Sequence, residues 1–329
     1  MKILIREGSA ARNLDALKLL LKMHPGKVML CTDDIHPEML AERHINKIVS
    51  HLINDGFDIF DTIRSCTINP ALHYNLETGL LKPGDPADFL ITENLCSMDI
   101  KETWINGKKV YGSGTVNFEY HGSEKKNKFN CSAINKNNLK IPEIKGKIRV
   151  IQAIDGDLFT HELFQIAEAD NSSGYDLKND ILKIIVKDRY NDMPPAVGFI
   201  KGFGLKRGAF ASSVAHDSHN IICAGTNDDD IVAAVNEIVR LNGGLAAADG
   251  QNLKSVQLDI AGIMSDKPVS EIAAGYKMLS DWVKSMGCSM SSPFMTLSFM
   301  ALLVIPELKL SDKGLFDGRT FSFVPLAAG

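Results

Sequence analysis

The first 75 residues alternate between strand-like and helix-like spacing of their hydrophobic positions. Short apolar runs at 3–5 and 27–31 are typical of buried strands, and the leucines within 13–23 recur on one helical face. Further helices are predicted over 45–54 and 58–67. The order strand, helix, strand, helix is typical of βα units in a parallel sheet, and two such units predict the last piece of a barrel.

The helical pattern is predicted to stop at Asn69-Pro70, and the chain changes character after residue 76. A cluster of turn-forming residues there precedes a short strand at 87–92. Asn106-Gly107 lies between two further apolar runs, and this dipeptide accepts positive φ at both positions of a type I′ turn. The segment 76–119 is therefore predicted to be a small all-β module.

A polar stretch at 120–143, rich in Asn, Lys and Ser, is predicted to be a linker, and a further domain is predicted over 144–329. Strands of that domain are predicted at 149–153, 181–187 and 221–224, and helices at 228–241 and 268–286. The alternation of strands and helices predicts an α/β domain with a hydrophobic core of its own.

Composition narrows the classes of function. The chain of 329 residues is 45% hydrophobic and 23% charged, and its net charge of −4 argues against nucleic acid as a partner. The six cysteines form no CxxC pair, which predicts reduced thiols in a cytosolic protein and no structural zinc site. The longest apolar stretch, 294–305, is too short to span a bilayer, and no signal peptide is expected, so no membrane partner is predicted.

Two adjacent carboxylates follow the second predicted strand, within Cys-Thr-Asp-Asp-Ile-His-Pro at 31–37. At the carboxyl end of a parallel barrel strand, side chains point toward the active site. One carboxylate there can bind a metal and accept a proton from water, while its neighbour binds substrate or orients the first. The alternative is structural, because Asp33 or Asp34 could cap the next helix, with Pro37 in its first turn.

A polar loop is predicted at 216–220, where two histidines, His216 and His219, stand three residues apart. Histidines at this spacing can face one way and bind a metal, but hydrogen-bonded loop residues would give the same pattern. The glycine-rich stretch 202–208 lacks the Gly-Lys-Ser/Thr ending of a phosphate-binding loop, and we interpret it as a tight, charged turn.

The order of these motifs resembles one family closely. The segments concerned are Arg-Glu-Gly-Ser at 6–9, Cys-Thr-Asp-Asp-Ile-His-Pro at 31–37, Gly-Leu-Leu-Lys-Pro-Gly-Asp-Pro-Ala-Asp at 79–88, Trp-Ile-Asn-Gly-Lys-Lys-Val at 104–110, and the stretches 194–198, 216–220 and 243–246. Over nearly the whole chain they resemble the adenine deaminases of the amidohydrolase superfamily. Many amidohydrolases share the Thr-Asp-Asp motif, whereas the later stretches resemble an extra C-terminal domain of adenine deaminases.

The resemblance implies an α/β and α+β fold class in four parts. Residues 1–75 would be the terminal βα units of an incomplete TIM-like amidohydrolase (β/α)₈ barrel, and 76–119 a small β-sandwich segment. Residues 120–143 would be a linker, and 144–329 a C-terminal α/β domain of the adenine deaminase type.

The resemblance also implies an activity, the hydrolytic deamination of adenine to hypoxanthine and ammonia by metal-activated water in purine salvage. A divalent metal, manganese or iron, would be bound by Asp33, which would also be the catalytic group that takes the water proton. The residues expected to bind substrate are Asp34, Glu7, Ser9, His216 and His219. Adenine is then the expected partner, and the full-length protein is expected to be a cytoplasmic homo-oligomer.

The sequence departs from the family pattern in one respect. The His-x-His of the first barrel strand, the metal-bridging residue and the histidines of strands five and six have no counterpart, and one carboxylate cannot hold a catalytic metal. The chain is therefore expected to be a fragment or a split gene product that is inactive alone. Two alternatives stay open: a non-catalytic structural or oligomerisation module, and another amidohydrolase such as a cytosine deaminase or dihydroorotase relative.

Overall fold

The computed structural model describes residues 1–9, 11–122, 124–144, 146–166 and 175–328, and it divides into two units, Met1–Ser123 and Glu124–Gly329. Both units combine helices with β-sheets, so the mixed α/β class expected from the sequence is confirmed. Within the described ranges, none of the helices has both the length and the apolar content needed to cross a membrane.

The first unit begins with a pair of strands and a series of short helices. The strands are β1 (Ile3–Arg6) and β2 (Val28–Cys31), and the helices are α1 (Leu14–Leu17), α2 (Leu19–Met23), α3 (Pro37–Glu42), α4 (Ile45–Asn54), α5 (Ile59–Cys66) and α6 (Ile68–Tyr74). β1 and β2 pair in parallel along their whole length. Ile5 and Val28 of the strands share one buried cluster with Val49 and Leu52 of α4. This apolar packing fixes the strands, and with them the residues that follow each strand.

Two helix boundaries differ from the predicted ones. The helix predicted over 13–23 is divided at Lys18 into α1 and α2. The predicted stop at Asn69-Pro70 is wrong, because α6 runs through both residues. Pro70 lies in the first turn of α6, where a backbone N–H would have no helical partner, so its missing N–H costs nothing there.

An antiparallel sheet completes the first unit. Its strands are β3 (Phe89–Thr92), β4 (Ile100–Ile105), β5 (Lys108–Gly112) and β6 (Thr115–Val116), paired in that order. The turn between β4 and β5 is Asn106-Gly107, with φ angles of 49° and 74°. Positive φ at both positions is the type I′ geometry, so the predicted hairpin is confirmed.

The second unit is built on one large sheet and one small one. The strands are β7 (Lys147–Ala153), β8 (Thr160–Ile166), β9 (Leu182–Lys187), β10 (Ala196–Lys201), β11 (Ala209–Ser212), β12 (Ile221–Gly225), β13 (Gly244–Asp249), β14 (Asn252–Gln257), β15 (Leu308–Ser311), β16 (Gly314–Asp317), β17 (Ser322–Phe323) and β18 (Ala327–Ala328). The large sheet has the order β14-β13-β11-β12-β9-β10-β7-β18, with β8 also on β7, and β15-β16-β17 form the small sheet. In the large sheet, β10 and β7 are parallel and the other pairs are antiparallel.

Three helices of the second unit are α7 (Asp228–Leu241), α8 (Val269–Ser285) and α9 (Pro293–Phe299). The bounds of α7 are those predicted from the sequence. The side chain of Asn227 caps this helix by accepting the Asp230 N–H at 2.8 Å, and the apolar face of α7 packs on β11, β12 and β13.

The polar segment 124–143 belongs to the second unit. Ile134 and Leu139 are only 5% and 0% exposed, and they join the core that α7 forms with the sheet. The Asn236 side chain on α7 accepts the Ile134 N–H at 2.8 Å and donates to the Ile134 carbonyl at 3.0 Å. The stretch predicted to be a linker therefore contains core residues.

Candidate functional site

The carboxyl ends of β1 and β2 lie side by side in the first unit. The Glu7 N–H donates to the Cys31 carbonyl at 3.1 Å, which extends the parallel pairing by one residue. Residues 7–9 and 32–34 therefore leave the two strands at the same edge. In folds built from βα units, this is the edge at which catalytic and ligand-binding side chains collect.

Asp33 carries the exposed carboxylate of this edge. Its φ of 48° is in the left-handed region, which Asp tolerates better than most residues. Its Oδ2 lies 3.3 Å from Nη1 of Arg6, and the Arg6 and Asp33 side chains are 40% and 39% exposed. Since so exposed an ion pair contributes little stability, the Asp33 carboxylate can exchange Arg6 for another partner at small cost.

Asp34, in contrast, is engaged by the neighbouring loop. Its Oδ1 accepts the Ser9 N–H at 3.0 Å, and the Ala11 N–H lies 3.2 and 3.1 Å from Oδ1 and Oδ2. A Cβ on Gly8 would lie 1.9 Å from Oδ1 of Asp34 and 2.6 Å from the Thr32 carbonyl oxygen. Because Gly8 has no side chain, the Asp34 carboxylate can accept hydrogen bonds from the loop after β1 and so connect the ends of the two strands.

Ser9 and Glu7 have different surroundings. Ser9 is 4% exposed, and its hydroxyl accepts the His36 N–H at 2.9 Å and donates to the Met39 sulfur at 3.1 Å. The Ser9 side chain thus fixes the start of α3. Glu7 is half-buried and lines a cavity of about 220 Å³ beside α4.

The cavity beside Glu7 has basic lining residues that the sequence motifs did not single out. They are Arg43, His44, Lys47 and His51. Lys47 and His51 lie on one face of α4, and His44 is the residue that precedes this helix. Their spacing along the sequence was the available signal. Arg43 and Lys47 are therefore basic groups of the cavity that Glu7 lines, together with the acidic Asp15.

The candidate metal ligands Asp33, His216 and His219 do not form a metal site among the described residues. Within the described residues, no group of three or more His, Cys, Asp or Glu side chains is placed to hold a metal ion. A catalytic site needs about three protein ligands. Asp33 is thus a single donor, and the described residues do not complete a metal site around it or around the pair His216 and His219.

His216 and His219 lie on the loop between β11 and β12. Their ring centroids are 6.2 Å apart, and the His216 ring stacks on Phe299 at 4.7 Å. Nδ1 of His219 lies 3.0 Å from the Asp217 carbonyl oxygen. Burial, followed by the positive charge of Arg189, lowers the pKa of His219 from its usual 6.5, so this imidazole is uncharged near pH 7.

The glycine-rich stretch 202–208 is a turn, and two of its glycine N–H groups already have an acceptor within the chain. The N–H groups of Gly202 and Gly204 both donate to the Asp180 carboxylate, each at 2.8 Å. Because a carboxylate of the same chain takes these donors, the stretch does not act as a phosphate-binding loop.

Both units contain residues that match families of known proteins. Residues 157–322, half of the chain, match the adenine deaminase C-terminal domain, and residues 3–110 match the amidohydrolase family. Curated adenine deaminases of Methanosarcina barkeri (strain Fusaro / DSM 804), Salinibacter ruber and a Sulfurovum species are 47%, 44% and 48% identical to 100%, 98% and 98% of the chain. The chain covers 62%, 60% and 60% of these relatives, and so spans about three fifths of their length. By its C-terminal domain and by its identity to these proteins, the chain belongs to the adenine deaminase family.

Proposed function

We propose that this chain takes part in the hydrolytic deamination of adenine to hypoxanthine and ammonia, a step of purine salvage. The observation that supports the proposal most is the 41–48% identity to curated adenine deaminases over 98–100% of the chain. The amidohydrolase match at 3–110 supports the reaction class, which is hydrolysis at a carbon–nitrogen bond. The exposed Asp33 adds a group suited to proton transfer.

The proposed architecture assigns each part of the chain to a piece of such an enzyme. We assign 1–75 to the last βα units of a (β/α)₈ barrel, and 76–119 to a segment of a β-sandwich. The parallel pairing of β1 with β2 and the antiparallel sheet β3 to β6 support these two assignments. Residues 144–329 are assigned to the adenine deaminase C-terminal domain, with 120–143 leading into it.

Asp33 is the proposed proton carrier. In the reaction, water adds to C6 of adenine and the bond from C6 to the amino nitrogen breaks. One proton must therefore leave the water, and a proton must reach the departing amine. A carboxylate that is 39% exposed and held by one weak ion pair can accept a proton on an oxygen and return it to the leaving nitrogen.

The amidohydrolase family implies a divalent metal in general, and such a metal supplies activation of water when it is bound. We propose manganese or iron, with Asp33 as a ligand. The described residues do not complete a metal site, so the proton transfer assigned to Asp33 is argued from the properties of its carboxylate and not from a bound metal.

Five residues are proposed as substrate-binding groups: Asp34, Glu7, Ser9, His216 and His219. Glu7 has the most direct support, because it lines a cavity. Asp34 and Ser9 hold the loop that follows Glu7. The uncharged imidazole of His219 suits hydrogen bonding to a neutral purine, and this property supports its assignment as a substrate-binding group.

Adenine is thus the proposed small-molecule partner, in a cytoplasmic protein that forms homo-oligomers in its full-length form, with neither nucleic acid nor a membrane as a partner. A purely structural or oligomerisation role is the alternative that the separate core of the second unit favours. The match of 157–322 to the adenine deaminase C-terminal domain weakens the case for a cytosine deaminase or dihydroorotase relative.

The test joins this chain to the part of the Methanosarcina barkeri relative that the chain does not cover. Release of hypoxanthine and ammonia from adenine is measured with manganese supplied. We expect turnover by the joined protein and none by the chain alone. Asp33→Asn should remove turnover, whereas Asp281→Asn, the same change at an α8 position whose side chain is 57% exposed, should not.

Two results would contradict the proposal. A folded joined protein that does not deaminate adenine would favour the structural role, and turnover of cytosine or dihydroorotate in place of adenine would favour another amidohydrolase. Equal activity of the Asp33→Asn and Asp281→Asn proteins would show that Asp33 is not the proton carrier.

A further inference from the structure

An open groove of about 600 Å³ lies in the second unit, between the segment 124–128 and the residues Arg189, Tyr190 and Ala261. Ligand-binding clefts commonly have volumes of about 300–1,000 Å³. None of the groups proposed for adenine deamination lines this groove, so its role requires a separate explanation.

Arg189 is the central residue of the groove, and it is only 3% exposed. Its Nη2 donates to the Tyr190 hydroxyl and to the Ala261 carbonyl, both at 2.8 Å, and its Nη1 makes one long contact of 3.5 Å to Asn127. Its Nε has no hydrogen-bond partner, and no carboxylate among the described residues forms an ion pair with it. A buried cation without an anionic partner is costly, so a group that supplies negative charge would be stabilising here.

The guanidinium group is held firmly in place. It lies 4.7 Å from the centre of the Tyr190 ring and 5.4 Å from that of Phe129. A Cβ on Gly262 would lie 2.0 Å from Nη1 of Arg189, so glycine at this position gives the guanidinium its room. A charged group fixed by its own chain binds a ligand without a large loss of conformational entropy.

The segment that forms the other wall is anchored by its backbone. The Asn130 N–H donates to the Arg189 carbonyl, and the Ala261 N–H donates to the Lys126 carbonyl, both at 2.7 Å. The Asn127 side chain donates to the Asn242 carbonyl at 2.6 Å. The groove is therefore a preformed feature of the unit.

The charge of the groove is positive. Lys126 and Lys128 are exposed, and neither has an ion-pair partner within the described part of the chain. Lys125 pairs with Asp259 at 2.6 Å and with Asp266 at 3.0 Å, so this group of three carries one net negative charge, and Glu124 is a further acidic lining residue. Arg189, Lys126 and Lys128, which have no carboxylate partner in the described ranges, outweigh these two negative charges.

We propose that this groove binds a small molecule that carries a phosphate group, with Arg189 as the buried contact and Lys126 and Lys128 as the exposed ones. A phosphate monoester carries more than one negative charge near pH 7, and so matches several cations better than a single carboxylate does. The volume exceeds that of one phosphate ion, so it has room for a ligand of nucleotide size. Adenine has no anionic group, so this ligand differs from the proposed substrate.

The groove adjoins the loop that carries His219, so the pKa of His219 offers a second way to detect ligand binding. The Tyr190 hydroxyl donates to the Ser218 carbonyl at 3.1 Å. The pKa of His219 is lowered by burial and next by the positive charge of Arg189. A phosphate beside Arg189 would offset that charge, so ligand binding should raise the pKa of His219 in an NMR titration.

The experiment is calorimetric titration of the full chain with AMP at low ionic strength, with adenosine as the uncharged control. We expect AMP to bind, inorganic phosphate to compete with it, and adenosine not to bind. Lys126→Gln/Lys128→Gln should weaken AMP binding by about tenfold or more, and Arg189→Gln should abolish it. The matched variant Lys178→Gln/Lys313→Gln, at exposed lysines of the same unit outside the groove, should bind AMP like the parent.

Other results would overturn the proposal. These are equal AMP affinity in the Lys126→Gln/Lys128→Gln chain, adenosine that binds as tightly as AMP, and an unchanged His219 pKa when AMP is bound. Citrate that competes better than inorganic phosphate would overturn the assignment of phosphate. If Arg189→Gln does not fold, the lysine variant decides the question. Binding is measured without turnover, so this test stands or fails separately from the proposed deamination.

Discussion

Replacement of one buried lysine should stabilise the second unit. Lys309 lies on β15 and is 0% exposed, and its Nζ donates to the Leu158 carbonyl at 2.7 Å. Within the described residues it forms no ion pair. Burial lowers the pKa of this amine from 10.5 to about 7, against a smaller opposing effect of Asp157. The folded protein therefore holds an amine that it does not readily protonate.

The sign and size of the effect follow from proton linkage. Because the pKa is lower in the folded state, the unfolded chain binds more protons between pH 7 and 10.5, so stability rises with pH across this window. The buried amine costs about 4 kcal/mol of unfolding free energy at pH 7 and about 2 kcal/mol at pH 9. Lys309→Met keeps the apolar stem and loses one hydrogen bond, which is worth about 1 kcal/mol. We expect the variant to be more stable than the parent by about 3 kcal/mol at pH 7 and about 1 kcal/mol at pH 9.

Urea unfolding at pH 7 and pH 9 measures this difference. The chain has two tryptophans, and in a Trp104→Phe background the fluorescence of Trp282 on α8 reports the second unit alone. Lys313→Met, an exposed lysine on the same hairpin, is the matched control and should change stability little. A Lys309→Met chain that is less stable than the parent at pH 7 would refute the reasoning. So would a difference in unfolding free energy between the two chains that is as large at pH 9 as at pH 7.

Three further predictions concern the candidate site. In the joined protein, Asp33→Ala should lower kcat for adenine by more than about 10²-fold with an unchanged circular dichroism spectrum, and more than a tenth of the parent turnover would place the proton carrier elsewhere. Gly8→Ala should destabilise the first unit by about 2 kcal/mol or more, because its Cβ would displace the Asp34 carboxylate from two N–H groups. Trp104 fluorescence in a Trp282→Phe background measures that loss of stability. The control is Gly26→Ala, where a Cβ would meet nothing within 4 Å. Equal unfolding midpoints for the Gly8→Ala and Gly26→Ala chains would contradict this prediction. His216→Gln and His219→Gln should each raise KM for adenine in the joined protein, and parent-like kinetics in both variants would leave the loop a structural role.

Local chemistry was enough to predict the elements whose signals lie within a few residues of each other. Asn106-Gly107 predicts its turn because both residues tolerate positive φ, and α7 begins and ends where its cap and apolar period indicate. The stop predicted at Asn69-Pro70 failed because proline is compatible with the first turn of a helix as well as with its end.

Other features depend on contacts between distant parts of the chain. The Asp-Asp pair in the segment 31–37 is predicted from its place after a strand, and the family resemblance assigns different roles to Asp33 and Asp34. The hydrogen bonds of Asp34 to the loop after β1 could not be predicted, because they depend on Gly8, whose missing Cβ leaves room for the Asp34 carboxylate. Arg189 lies in no motif, and only the position of the segment 124–130 beside it shows that no carboxylate of the described residues pairs with it.

The double hydrogen bond between Asn236 and the backbone of residue 134 limits where the chain can be divided. One amide side chain satisfies both main-chain groups of Ile134, as a neighbouring strand would, and Leu139 then fills a space in the core. A preparation that starts at residue 144 would expose apolar core atoms to water and remove both hydrogen-bond partners of the half-buried Asn236 side chain. Any separate expression of the second unit should therefore start before Glu124, and insertions should be tolerated worst between positions 134 and 139.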